Sequence, residues 1–160
     1  MNETSASELV GALGDLYTTK PFSDEAARTA HDATLGRLLS HVPEPNSWTV
    51  VRWGVGTVLM LADNVLFTLT VDRISPEGHP DALLSSRWLE GNHTSVELRW
   101  DAPEQTDTGL AYTTHWVFDL GAAEPLTLAG SVVSHPREEL DRTEVFARAV
   151  ARKLGWRLAG

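Results

Sequence analysis

From Trp48 to Val133 apolar and polar positions alternate with a period of two, whereas the segments before and after repeat at helical spacing. Over Val65 to Asp72, Val65, Phe67, Leu69 and Val71 share one strand face, and Leu66, Thr68 and Thr70 share the other. Trp48 to Trp53 and Gly56 to Leu61 are β-rich, and Gly54-Val55 between them gives hairpin spacing. Asp63-Asn64 supplies the next turn, so three consecutive strands form a meander. Further strands are predicted at Thr94 to Trp100, at Gly109 to Leu120 and at Glu124 to Val133. In the second of these Leu110, Tyr112, Thr114, Trp116 and Phe118 share a face. Ala82 to Glu90 fits a strand or a short helix with Leu84 and Trp88 four apart and Gly91 at its end. The strand is preferred because Gly91-Asn92 leads at once into the next alternating segment. Ser75 to Asp81 and the polar Ala102 to Thr108 are read as loops.

Helical spacing appears three times. Leu9, Val10, Leu13, Leu16 and Tyr17 mark a helix over Ser7 to Tyr17, which Gly11 and Gly14 each weaken by up to ~1 kcal/mol. Ser23 is the expected cap of a second, where Ala27, Ala30, Thr34, Leu35, Leu38 and Leu39 line a face ending near Ser40. Pro43 and Pro45 mark its exit. The C-terminal helix, Asp141 to Leu154, has an Asp141/Glu144 pair resembling a capping box and a buried stripe of Phe146, Ala149, Val150 and Leu154. Glu138 to Arg142 and Glu144 to Arg148 are read as surface acid-to-base pairs, and Trp156 as folding back over the helix end.

One or two N-terminal helices, an antiparallel meander of about seven strands and a C-terminal amphipathic helix define the α+β class. This order is similar in topology to pleckstrin-homology-like domains. If Ala82 to Glu90 were helical, the order would move toward small acidic secretion-chaperone folds. No sequence motif ties the chain to either. Residues 1–160 are read as a single domain, with 1–20 a loosely attached N-terminal helix.

Composition narrows the functional classes. The 160 residues contain no cysteine, which excludes disulfides, thiolate metal sites and cysteine nucleophiles. Thirteen Lys+Arg against 22 Asp+Glu give a net charge of −9, the wrong sign for a general nucleic-acid binder. From Pro136 onward six basic residues meet four acidic ones, so the acidity lies before that point. Eleven of the thirteen cations are arginine, a high-GC coding bias that reads as bacterial. No apolar run is long enough to span a membrane, and the acidic N-terminus is unlike a signal peptide, so a cytoplasmic location is expected.

Candidate chemistry is sparse. His93 and Glu97 fall four apart on a strand, roughly 13 Å along the chain and too far for one metal ion. No metal and no cofactor is expected. Ser131, Ser134 and His135 with Asp119 lack a nucleophile elbow, and Gly54-Val55-Gly56 lacks a dinucleotide fingerprint. His31, beside the buried stripe of the second helix, is the reserved candidate for a general base should a cavity exist there. His115 points away from the face of Trp116. Trp48 and Trp53 differ by an odd number, so one of them should leave the main core.

Two functions follow. The preferred one is a non-enzymatic intracellular interaction module, of adaptor, chaperone or immunity type, that holds a protein partner or a second copy through a sheet face or edge. A homodimer is expected because Leu66 and its neighbours would otherwise be exposed. The alternative is a small-molecule or enzymatic pocket between helix and curved sheet, which needs ~300 Å³ of concave apolar space. The candidate pocket or contact residues are His31, Trp53, Tyr112, His115 and Trp116, with no catalytic assignment.

Overall fold

The alternating segment forms two antiparallel sheets, and the helical segments pack one face of each. The computed structural model describes residues 1–18, 21–90, 94–107, 109–122, 124–134 and 138–156. Contacts divide the chain into two compact units, Met1–Arg87 and Trp88–Gly160. The α+β class with N-terminal helices and a C-terminal helix holds.

In the first unit α1 (Glu3–Leu16) and α2 (Glu25–Leu39) precede β1 (Ser47–Val51), β2 (Gly56–Ala62), β3 (Val65–Ile74) and β4 (Pro80–Trp88), whose last residue opens the second unit. Sheet order is β1-β2-β3-β4, the meander that the turns at Gly54-Val55 and Asp63-Asn64 imply. Val58 pairs with Leu69 and Met60 with Phe67, so these side chains share the face that the helices cover. Leu9, Leu13, Leu35 and Leu39 are fully buried against that face. Each such side chain contributes about 1.5–3 kcal/mol on leaving water. Leu66 points to the other face and is only 5% exposed, which removes the exposure on which the dimer expectation rested.

Both helices start differently from the sequence reading. Asn2 caps α1 by accepting from Ser5 N at 2.8 Å, so the helix starts at Glu3, four residues before the expected Ser7. Glu44 binds Asn2 N at 3.0 Å and the Ser5 hydroxyl, and the Met1 amine donates to Val42 O, so the first turn of α1 is tied to the segment after α2. These bonds hold the Glu44 carboxyl below its ordinary pKa, the Ser5 hydroxyl most strongly. In α2 the cap is Asp24, which accepts from Ala27 N at 2.9 Å, while Ser23 donates its hydroxyl to Pro76 O.

In the second unit β5 (Ser95–Trp100), β6 (Glu104–Thr106), β7 (Gly109–Asp119), β8 (Leu126–Ser134) and β9 (Glu138–Leu140) precede α3 (Arg142–Lys153). The sheet runs β5-β7-β8-β9, with β6 also on β7. Two short strands lie outside the predicted ones, the first in an expected loop and the second just before the expected helix: β6 pairs Glu104 with Ala111, and β9 pairs Glu138 with Ser134. Glu138 therefore stands in a strand and is no helical i,i+4 partner of Arg142. α3 packs on β7 and β8 through Phe146 and Val150, both fully buried. Trp156 turns back after Gly155, at φ 89°, and meets Trp116 edge to face at 5.9 Å.

Candidate functional site

Where α1 ends, Tyr17 turns its hydroxyl to His31 Nε2 at 2.7 Å, and His31 Nδ1 lies 2.8 Å from Asp32 Oδ1. His31 is 1% exposed and packed between the rings of Tyr17 and Phe22, at 5.6 and 4.8 Å. The neutral tautomer that satisfies both bonds has Nδ1–H donating to Asp32 and Nε2 accepting the Tyr17 proton. Burial, and then the negative charge of Asp32, push the Tyr17 hydroxyl well above its ordinary pKa. A tyrosine so held keeps its proton at neutral pH and is a poor nucleophile, and its bond to His31 fixes the ring.

That ring forms one wall of an open cleft of about 610 Å³, all of it in the first unit. Val55 and Ile74 supply apolar wall, and Arg52, Asp72 and Arg73 bring charge to it. The β1–β2 turn builds this side: Val55 N donates to Val71 O at 2.8 Å, while Gly54 takes φ 64° with its backbone pressed on β3. A Cβ on Gly54 would stand 2.8 Å from Val71 O, so a side chain there is excluded twice, by conformation and by space.

The five candidate residues are divided between the two units. His31 and Trp53 belong to the first unit. His31 sits one residue behind the cleft, on Tyr17. Trp53 lies in the turn after β1, 37% exposed, while Trp48 packs against the helix–sheet core. In the second unit Tyr112 and Trp116 are on the α3 side of β7, and His115 is on the opposite side. Tyr112 packs on Trp100 at 5.2 Å. His115 Nε2 meets Asp101 Oδ2 at 2.8 Å, and this bond holds the exposed Asp101 carboxyl below its ordinary pKa.

Trp116 leads to the residue the sequence reading placed wrongly. Asp141 does cap α3, accepting from Glu144 N at 2.8 Å, but the Glu144 carboxylate does not return to the cap. It is fully buried, where Oε2 accepts from the Thr114 hydroxyl at 2.5 Å and from Trp116 Nε1 at 2.8 Å, and Oε1 accepts from Arg148 Nε at 2.9 Å. Both carboxylate oxygens therefore accept hydrogen bonds within the fold, three in all, and those from Thr114 and Trp116 tie α3 to β7. The sequence signal was a Thr, a Trp and a helical Glu-to-Arg pair, each ordinary alone.

His93 and His135, and with them the weighed metal and Ser-His-Asp arrangements, lie outside the described residues. Among the described residues no group of three or more His, Asp or Glu could hold a metal ion. No described helix is long and apolar enough to cross a membrane. No family model, no curated protein and no solved structure matches the chain.

Proposed function

We propose that the chain is a non-enzymatic, cytoplasmic binding module whose ligand site is the cleft beside Tyr17. The observation that carries this reading is the cleft's volume of about 610 Å³ next to a ring locked by a buried histidine. Ligand sites of small molecules run from ~300 to 1,000 Å³, and this cleft has that volume, with a lining divided almost evenly between polar and apolar surface. A wall preorganised before binding costs less ordering entropy when a ligand arrives. Catalysis gains no support from the same residues, since Tyr17 keeps its proton and His31 is sealed from solvent. The test is titration of labelled protein with the neutral fluorophore N-phenyl-1-naphthylamine. Saturable binding at one probe per chain is expected, with amide shifts at Val55 and Ile74. Absence of shifts there at saturating probe overturns the reading.

A second reading, a protein partner or second copy on a sheet edge, has its own observation. Leu83 is 66% and Trp88 68% exposed on β4, an edge strand. Exposed edges with large apolar side chains invite strand pairing. Loss of concentration-dependent association on Leu83→Lys, with unchanged melting, would support it over the cleft.

A further inference from the structure

We infer that the cleft takes a small organic monoanion, an apolar body carrying one carboxylate; this rests on the reading of the cleft as a ligand site. Among the described residues its charged lining is Arg52, Arg73 and Asp72, two guanidinium groups against one carboxylate. Arg52 is exposed and has no hydrogen bond or ion pair among the described residues. Arg73 has only a 3.4 Å contact to Asp81, between two exposed side chains. Arg52 can turn onto a ligand directly and Arg73 by giving up this long, exposed contact, and the planar geometry of both forks matches a carboxylate. Among the described lining residues guanidinium groups outnumber carboxylates by one, an excess that one negative charge on the ligand balances and two overshoot.

The remainder of the molecule sets the size of that anion. A chain of net charge −9 repels nucleic acid and anionic membranes over a Debye length, whereas a small ion can enter a locally positive cleft. The Tyr17 ring, Val55 and Ile74 then face the ligand's apolar body.

The test compares N-phenyl-1-naphthylamine with 8-anilino-1-naphthalenesulfonate, the same ring system bearing one sulfonate. The anionic probe is expected to bind at least tenfold more tightly, as charge-assisted hydrogen bonds allow. The double variant Arg52→Gln, Arg73→Gln should bring the two probes level without weakening the neutral one. Both side chains are exposed, and a thermal melt verifies that the variant folds. Displacement by 1-naphthoate should exceed displacement by 1-naphthyl phosphate, the dianion. Equal affinity of the two probes for the wild-type chain, an unaltered preference in the double variant, or stronger displacement by the phosphate overturns the monoanion assignment while leaving the cleft a ligand site. If neither probe shifts Val55 or Ile74, the ligand site itself falls and the assignment with it.

Discussion

A Cβ on Gly130 would stand 2.3 Å from Glu144 Oε2 and 2.7 Å from the Thr114 hydroxyl, so β8 can pass the buried carboxylate only as bare backbone. Alanine for glycine in a strand is ordinarily neutral or favourable, which makes the sign of the change diagnostic here. Gly130→Ala is expected to lose about 1–3 kcal/mol in urea unfolding, the cost of overpacking; unchanged stability would mean that Glu144 can move aside. Tyr17 gives a second test, through pH. Its folded-state pKa is raised, so the associated stability is complete below the ordinary tyrosine value near 10 and is lost as pH rises through the folded value. Tyr17→Phe cannot titrate, and it leaves His31 Nε2 buried without its partner, a cost of about 1–3 kcal/mol. Urea unfolding should show that deficit at pH 7 and its shrinkage above pH 10. A constant deficit across that range would contradict the Tyr17–His31 bond. At this scale His31 could be singled out from sequence because it lies beside an apolar stripe. Its partner could not, since Tyr17 is fourteen residues earlier and reads equally well as part of the stripe.

Among elements, legibility followed the strength of the periodic signal. β2, β3 and β7 alternate over seven or more residues and were readable directly. β4 was ambiguous because Leu84 and Trp88 satisfy both periods, and the turn after it decided for a strand. β6 and β9 have three residues each, too few for any period, and exist because β7 and β8 offer them ladders. The cleft was hidden for a related reason: Arg52 follows β1 and Asp72-Arg73 lie near the end of β3, and only the sheet register brings them together. The start of α1 was equally invisible, because it depends on Glu44, far along the chain. Glu44 has a lowered pKa, so its contribution is present above the ordinary carboxylate value and is lost as pH falls through the folded one. Glu44→Gln should therefore be less stable than wild type at pH 6 and equal to it at pH 3 in urea unfolding followed by circular dichroism. A difference that persists at pH 3 would assign the effect to packing.

At the scale of the whole molecule charge governs behaviour that no single residue does. Residues 1–87 carry eleven acidic against six basic side chains, and the remainder eleven against seven, so both units are net acidic. Mutual repulsion between chains of net charge −9 opposes association at neutral pH and fades toward the isoelectric point near 5.0. The apolar side chains left outside are few: in the first unit Leu83 is the most exposed, flanked on β4 by Asp81 and Arg87. With Leu66 buried, an edge contact through β4 is the route to self-association that the exposed residues offer. Sedimentation at micromolar concentration and low salt should accordingly show a 17.5 kDa species at pH 7 and a rising average mass as pH approaches 5. Leu83→Lys, which removes the apolar contact and sets like charges against each other across a paired edge, should suppress that rise although its one added cation brings the net charge from −9 to −8. A pH-independent dimer would restore the sheet-face interface inferred from alternation, and an unaltered rise in Leu83→Lys would move the contact away from β4.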